Sequence, residues 1–200
     1  MKLAAIILAA GRSRRFGSAD KLLAPFGDAP ILRRTTIAVV RSGFFDIVVV
    51  TGMVNHERRA AVADLGVRFV TNTDADDGQA RSIAWGIGAL ATECEGAMIV
   101  PADMPALTPA LLLRAIDAFE TWRGERIVHF AIDGALRPPV LWPRALFGEL
   151  AALRGDGGGR NVVARHASLA QAIDISADAA WRLDDIDTHD DLVALAARVQ

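Results

Sequence analysis

The chain has 200 residues, of which 52% are apolar and 23% are charged, and its formal net charge is −2. These values predict one folded domain with a substantial core and exclude a mainly disordered chain. They argue against a binder of duplex nucleic acid, which needs a basic face to displace phosphate counterions. The lone cysteine, Cys94, cannot form an internal disulfide and fits a reducing compartment, so we predict a cytoplasmic location. No run approaches the roughly 20 apolar residues that a membrane span needs.

The first ten residues are open to two interpretations. One lysine precedes an apolar run that ends in small residues, which is typical of a short signal peptide. The run is at the short limit for such a peptide, and Arg12, Arg14 and Arg15 follow at once. We therefore favour the alternative, in which residues 3–9 form a buried parallel strand that enters a glycine loop.

Strand-like apolar runs alternate with helix-like segments along most of the chain. The predicted strands are 3–9, 46–51, 67–71, 96–100 and 126–132, and the predicted helices are 31–41, 57–65, 78–91 and 108–122. The later part is less regular, with a short apolar stretch at 140–142, a helix at 143–153, a strand at 169–175 and a helix at 188–199. This alternation is typical of βαβ units. It predicts a single three-layer, Rossmann-like α/β domain over residues 1–200, with a mostly parallel central sheet.

The segment after the first predicted strand is the first candidate site, because ligands of open α/β sheets lie beyond the carboxyl ends of the strands. Small residues there would let backbone N–H groups approach an anion closely. The segment lacks the Gly-Lys-Ser/Thr of a P-loop and the full glycine fingerprint of a dinucleotide-binding fold. A structural turn would need a glycine but not several basic residues, so we interpret it as a phosphate-binding loop. Its candidate nucleotide-binding residues are Leu8, Ala9, Ala10, Gly11, Arg15, Gly17 and Lys21.

A carboxylate follows the fourth predicted strand. Asp103 lies between Pro101 and Pro105, and this setting suits Mg²⁺, which takes one or two carboxylates and completes its shell with phosphate oxygens and water. The alternative is an N-cap for the next helix. We favour the metal, because Thr108 already occupies the capping position.

A second carboxylate near the end of the chain could complete the metal site. Asp187 is the candidate ligand, and it directly precedes Thr188. Thr188 could instead simply cap the last helix, with Asp191 at the capping-box position. The two roles are compatible, since a cap and a ligand can be neighbours.

The segment from residue 72 to residue 82 is a third candidate. Gly78 opens a predicted helix whose free N–H groups could meet a base or a ribose, and Ser82 lies one turn further along. Together with Asn72, these residues are candidates for nucleotide binding. The alternative is an acidic turn that complements the helix dipole, which alone would explain Asp74, Asp76 and Asp77.

These motifs together resemble the molybdenum cofactor nucleotidyltransferases within the wider NTP-transferase group, over nearly the whole chain. The first motif is Leu8-Ala9-Ala10-Gly11-x-Ser13-x-Arg15-Phe16-Gly17 with Lys21-Leu22-Leu23. The later motifs follow in the expected order, as Gly78-x-x-x-Ser82-Ile83-x-x-Gly86, Ala102-Asp103-Met104-Pro105, Gly155-Asp156-Gly157-Gly158-Gly159-Arg160 and Asp185-Ile186-Asp187-Thr188. The resemblance implies the fold of the nucleotide-diphospho-sugar transferases, Mg²⁺ as cofactor, and catalytic roles for Arg15, Lys21 and Asp103.

The resemblance also implies the substrates. The segment Ala9-Ala10-Gly11 is more similar to the cytidylyltransferase branch, since the guanylyltransferase branch usually carries two adjacent glycines there. It implies transfer of CMP from CTP to the terminal phosphate of a phosphorylated pterin, the molybdopterin-bound molybdenum cofactor, with a molybdoenzyme as client. The alternatives are a guanylyltransferase, another small phosphorylated acceptor, and a non-catalytic carrier of the cofactor.

The acceptor side departs from the family pattern. The family often has Gly-His-Pro-Val where this chain has Arg137-Pro138-Pro139-Val140. The candidate acceptor-binding residues are Arg137, Asp156 and Arg160, and Asp156 is also the alternative to Asp187 as second metal ligand. The glycine-rich run around Asp156 could otherwise be only a flexible helix end.

Overall fold

The computed structural model describes residues 1–11, 14–17, 19–53, 55–75, 78–155 and 158–199. Some residues quoted above lie outside these ranges, namely Arg12, Ser13, Asp76, Asp77, Asp156 and Gly157. The two roles assigned to Asp156, as an acceptor contact and as a metal ligand, therefore stay predictions.

A mostly parallel sheet of seven strands forms the centre of the described part of the chain. The described residues form nine strands in all, seven in this sheet and two in a separate hairpin. They are β1 (Leu3–Ala9), β2 (Pro25–Phe26), β3 (Ala29–Pro30), β4 (Asp46–Thr51), β5 (Arg68–Thr71), β6 (Gly96–Pro101), β7 (Ile127–Ile132), β8 (Ala135–Pro143) and β9 (Ala170–Asp174). The order in the sheet is β5-β4-β1-β6-β8-β7-β9, and β2 pairs with β3 as a separate hairpin. β8 runs antiparallel to both of its neighbours, and the other adjacent pairs in the sheet are parallel.

Seven α-helices occur in the described ranges. They are α1 (Ile31–Val40), α2 (His56–Ala60), α3 (Gln79–Gly88), α4 (Pro109–Thr121), α5 (Phe147–Ala151), α6 (Arg160–Arg165) and α7 (His189–Val199). Within the ranges described, no helix combines the length and the apolar character needed to cross a membrane. The predicted helix at 57–65 is divided into α2 and a short 3-10 turn at Ala63–Leu65, which ends at Gly66 with a φ of +69°.

The helices cover both faces of the sheet, because alternate residues of each strand point to opposite faces. On one face, Ile7 of β1 belongs to a core with residues of α1, α4 and α7. On the other face, Ile6 belongs to a core with residues of α3, α5 and α6. The predicted three-layer, mostly parallel α/β fold is thus confirmed.

Helix α3 packs directly on the centre of the sheet. A Cβ placed at Gly86 would overlap the Ile6 side chain and would lie 3.2 Å from Cγ2 of Val50. Only glycine permits this approach of helix and strand without a shift of one of them. The close packing fixes the start of α3 relative to the carboxyl ends of β1 and β4.

Candidate active site

The segments that follow β1 and β6 lie side by side at the carboxyl edge of the sheet. β1 and β6 are adjacent parallel strands, and Leu8 is in register with Pro101. The N–H of Ala102 donates a hydrogen bond to the carbonyl of Leu8 over 3.2 Å. The predicted phosphate loop and the predicted metal ligand Asp103 therefore begin from neighbouring positions.

Lys21 connects these two segments through its side chain. It is 8% exposed, and its Nζ lies 2.7 Å from Oδ2 of Asp103 and 3.3 Å from Oδ1 of Asp187. Nη1 of Arg15 lies 2.8 Å from Oδ2 of Asp187. The structure thus brings together the two basic and two acidic residues that the sequence identifies as the centre of the site.

A third carboxylate, that of Asp185, joins the cluster. One oxygen each from Asp103, Asp185 and Asp187 lie within 4.8 Å of one another. The N–H of the intervening Ile186 donates to the carbonyl of Asp103 over 3.0 Å, and the Ile186 side chain is fully buried. Three carboxylates converging in this way match the all-oxygen ligand set of Mg²⁺ or Mn²⁺.

Asp185 appears in the quoted motif, but it was given no role from the sequence. The available signal was the alternation Asp185-Ile186-Asp187, since residues two apart in an extended segment point to the same side. A buried isoleucine between them places both carboxylates away from the core.

The environment of Asp103 opposes its negative charge. Burial raises the pKa of Asp103, and the carboxylate of Asp185 adds to this effect. The positive charge and hydrogen bond of Lys21 oppose the rise, because they stabilise the ionised form. The neighbouring carboxylates of Asp103 and Asp185 therefore favour a cation between them.

A capping box fixes the end of the segment that carries Asp187. The N–H of Thr188 donates to the carboxylate of Asp191 over 2.7 Å, and the N–H of Asp191 donates to the Thr188 hydroxyl over 3.2 Å. Hydrogen bonds from Thr188 lower the pKa of Asp191. The predicted cap and the predicted metal site are thus direct neighbours at the start of α7.

A cavity of about 410 Å³ extends from the carboxylates over the sheet, between α3 and α6. Strands β6 and β8 form its floor. The even-numbered residues of β8 line it and give it an apolar wall, whereas charged and amide side chains form the rest of its lining. The apolar lining includes Leu8, Ile83, Ile99, Leu136, Pro138, Val140, Trp142 and Val163, and the polar lining includes Arg15, Gln79, Asp103, Arg160, Asp185 and Asp187.

The structure separates the candidate acceptor residues. Arg160 opens α6 and lines the cavity. Arg137 is an odd-numbered residue of β8, and its Nη2 lies 3.3 Å from the carboxylate of Asp184. Arg137 is thus placed beside Asp184, not among the cavity-lining residues of the described ranges. Gln79, the first residue of α3, lines the cavity but was not predicted from the sequence.

The candidates between residues 72 and 82 occupy the junction of β5 and α3. Asn72 is fully buried, and its Nδ2 donates to the hydroxyl of Ser82 over 3.0 Å. Asn72 also accepts the N–H of Asp74 over 2.8 Å. Gly78 precedes α3 with a φ of +91°, which favours glycine. Asn72 and Ser82 thus bond to each other at the start of α3, and their role in nucleotide binding stays a prediction.

The small residues of the predicted phosphate loop differ in exposure. Ala9 and Ala10 are buried, whereas Gly11 and Gly17 are exposed. Gly17 has a φ of +95°, a conformation that disfavours other residues.

A mostly parallel sheet covered on both faces, with a charged site beyond the carboxyl ends of its central strands, defines a Rossmann-like fold. Residues 5–170 match the family described as the MobA-like NTP transferase domain, and the chain belongs to this family. The resemblance noted from the motifs is thus confirmed.

Three relatives illustrate the relationship. A probable molybdenum cofactor guanylyltransferase of Haloferax mediterranei is 36% identical over 104 residues, which cover 51% of this chain and 48% of the relative. The chain thus spans about half of the length of this relative. A molybdenum cofactor guanylyltransferase of Cupriavidus metallidurans is 30% identical over 197 residues, which cover 94% of this chain and 91% of the relative. Rv0371C from Mycobacterium tuberculosis, in a crystal structure of its complex with manganese, is 27% identical in sequence and superposes with a TM-score of 0.79. The match covers 98% of this chain and 99% of Rv0371C.

Proposed function

We propose that the chain is a metal-dependent nucleotidyltransferase that moves a nucleoside monophosphate from an NTP to the terminal phosphate of the molybdenum cofactor. The observation that carries the proposal is the contact of Lys21 and Arg15 with the carboxylates of Asp103 and Asp187. Cationic side chains beside a carboxylate cluster provide what a triphosphate and its metal ion require.

The reaction needs charge stabilisation more than acid–base catalysis. An oxygen of the acceptor phosphate attacks the α-phosphorus of the NTP in line, the bond from that phosphorus to the bridging oxygen breaks, and pyrophosphate leaves. An ionised phosphate monoester is already a nucleophile, so no protein base is required. Arg15 and Lys21, which lie beside the carboxylate cluster, would neutralise the charge of the departing pyrophosphate.

The residues that would hold the metal are Asp103 and Asp187, the ligands predicted from the sequence, together with Asp185. A divalent cation bound there would neutralise phosphate oxygens and hold the two substrates in line. The manganese complex of the mycobacterial relative supports a divalent cation, and we expect Mg²⁺ as the physiological ion.

The cavity supports the assignment of the acceptor. It begins at the carboxylates and continues over the apolar residues of β8, which suits a molecule with a phosphate at one end and a flat ring system at the other. Arg160 at its mouth adds a cation for a second anionic group of the acceptor.

The proposal also includes the identity of the base of the NTP, for which there are two candidates. The names of the relatives support a guanylyl transfer from GTP. The segment Ala9-Ala10-Gly11 supports the alternative, a cytidylyl transfer from CTP, because it lacks the adjacent glycines usual in the guanylyl branch. GTP has the stronger support, and CTP is the second candidate.

The decisive experiment is an assay of pyrophosphate release with GTP, CTP, ATP or UTP, Mg²⁺ and the molybdopterin form of the cofactor. We expect release with GTP, or with CTP under the second candidate, and only when the acceptor is present. Binding of the cofactor without pyrophosphate release would instead identify a carrier. A thermal-shift panel gives an independent measure of the base, since an NTP at 100 times its Kd adds about 2.7 kcal/mol of stability.

Two further parts of the proposal concern the setting of the protein. We expect a molybdoenzyme to receive the product. The cytoplasmic location rests on the single cysteine and stays a prediction.

A further inference from the structure

Arg58 of α2 is a buried arginine that contacts both ends of the phosphate loop. The residue is 5% exposed. Its Nη1 donates to the carbonyl of Ala9 over 2.6 Å and to the carbonyl of Gly11 over 2.9 Å. These two carbonyls belong to the start of the loop, directly after β1.

The same guanidinium holds the other end of the loop through Asp20. Nε of Arg58 lies 2.6 Å from Oδ2 of Asp20, and Nη2 lies 2.9 Å from Oδ1. Asp20 in turn accepts the N–H of Leu22 over 3.0 Å and caps the short 3-10 helix that begins with Lys21. A single side chain thus joins the start of the loop to the residue that precedes the catalytic lysine.

The direction of these bonds suits an anion on the opposite side of the loop. The carbonyl of Ala9 and the N–H of Ala10 share one trans peptide plane and point in opposite directions. With that carbonyl directed at Arg58, the N–H of Ala10 points away from the guanidinium. Holding carbonyl oxygens on the protein side also removes their negative dipoles from the position of the phosphates.

Burial of an arginine carries a free-energy cost, because its charge must be removed from water. The cost is offset here by a bidentate carboxylate and two carbonyls. The next residue, Arg59, is half-buried and bonds only to the hydroxyls of Thr51 and Thr71 among the described residues. The two neighbouring arginines of α2 therefore have different targets, and only Arg58 reaches the loop.

We infer that Arg58 is a positioning residue for the triphosphate: it holds the Ala9–Gly11 backbone and the Asp20–Lys21 segment in the arrangement that receives the phosphates. The inference rests on the proposed function, because it gives the loop an NTP as its ligand. Arg58 acts through the loop and does not itself contact the reacting atoms.

The experiment compares Arg58→Lys and Arg58→Met with the matched control Arg59→Met. Binding of GTP and CTP with Mg²⁺ is measured by calorimetry on the whole chain, together with hydrogen exchange of residues 9–22 without nucleotide. We expect both Arg58 variants to lose on the order of 10²-fold in NTP affinity, as misplacement of binding groups by about 1 Å does. Exchange should rise within residues 9–22, whereas Arg59→Met lowers the unfolding midpoint and retains the wild-type NTP affinity.

Arg58→Lys keeps the charge and the fold but cannot form the bidentate pair, so it separates positioning from simple electrostatics. Asp20→Asn should weaken NTP binding as well, and the double variant Asp20→Asn/Arg58→Met should lose less than the two single losses combined. Wild-type affinity in both Arg58 variants, at whatever stability, overturns the inference and leaves the proposed function in place. Absence of NTP binding by the wild type overturns both.

Discussion

Two clusters of charged side chains lie at opposite ends of the strands of the sheet, one at the amino edge and one at the carboxyl edge, and they are built differently. At the amino edge, the carboxylate of Asp46 accepts Nε of Arg68 over 3.0 Å, Nη2 of Arg68 over 2.6 Å and the N–H of Ala91 over 3.0 Å. Burial raises the pKa of Asp46, but the hydrogen bonds from Arg68 and Ala91 outweigh it and hold the pKa below its ordinary value. This cluster is complete within the folded chain.

At the carboxyl edge, the carboxylates outnumber the cations that contact them among the described residues. Asp103, Asp185 and Asp187 converge, and Lys21 contacts two of them. Burial raises the pKa of Asp103, with the cation of Lys21 only opposing that effect. The same residue types thus form a paired cluster at one edge and, within the described part of the chain, a carboxylate-rich cluster at the other, which is the pattern expected of a binding site.

The largest effect is expected for Asp103→Asn, a substitution in the cluster at the carboxyl edge. We expect nucleotidyl transfer to fall by at least about 10²-fold, because a ligand for the metal is lost where charge develops. Pyrophosphate release under single-turnover conditions provides the measurement, and denaturant unfolding provides the control for the fold. Activity within about tenfold of wild type, or about 1.4 kcal/mol in the barrier, would remove Asp103 from the metal site.

Lys21→Met separates the two roles of the lysine. Without nucleotide, Lys21 occupies the position beside the carboxylates that a cation needs, so its removal should increase the affinity for Mn²⁺. With nucleotide, the loss of the charge should weaken NTP binding by about tenfold, or about 1.4 kcal/mol. Electron paramagnetic resonance of free Mn²⁺ and calorimetry with the NTP measure the two effects. A decrease in Mn²⁺ affinity would show that Lys21 supports the metal instead of competing with it.

Asp46→Asn should affect stability and leave catalysis unchanged. Loss of the charged acceptor in a buried cluster should cost on the order of 1–3 kcal/mol at neutral pH. Because the folded pKa of Asp46 is depressed below 3.8, its stabilising contribution is present above the unfolded pKa and is lost as pH falls through the folded pKa. The difference from wild type in urea unfolding should therefore narrow below about pH 4. If the difference in unfolding free energy between the variant and the wild type stayed constant to lower pH, the pKa of Asp46 would not be lowered in the folded protein.

Thr188→Ala tests the smallest effect, at the point where the site joins α7. Removal of the capping hydroxyl should cost about 1 kcal/mol. Thr121→Ala is a matched control, since Thr121 is exposed and its hydroxyl bonds to the carbonyl of Asp117 within α4. Equal losses in thermal unfolding of the two variants would deny Thr188 a specific capping contribution.

The central strands were predictable from the sequence, whereas β8 was not. Runs of buried β-branched and aliphatic residues predicted β1 and β4 with their observed bounds. β8 was predicted only as a short apolar stretch at 140–142, but it extends over Ala135–Pro143. Pro138 and Pro139 argue against a strand locally, and pairing with β6 and β7 overrides that preference. The predicted helix at 143–153 likewise became a 3-10 turn followed by the short α5.

The site was predictable where charge follows a strand and obscure where the fold alone brings residues together. Arg15, Lys21, Asp103 and Asp187 all follow recognisable motifs and meet in the structure. Arg58 had no such signal, because an arginine near the start of a predicted helix is ordinarily a solvated residue. Its position beneath the phosphate loop follows from the packing of α2, which sequence periodicity does not reveal.

The hydrogen bond from the N–H of Ile186 to the carbonyl of Asp103 has a consequence for folding. Lys21 and Asp103 are separated from Asp185 and Asp187 by a long stretch of chain, so the carboxylate cluster is assembled from distant parts of the sequence. Such a distant pairing must wait for loop closure over the intervening chain. We therefore expect the three carboxylates to converge late in folding, once the segment that carries Asp185 and Asp187 has docked.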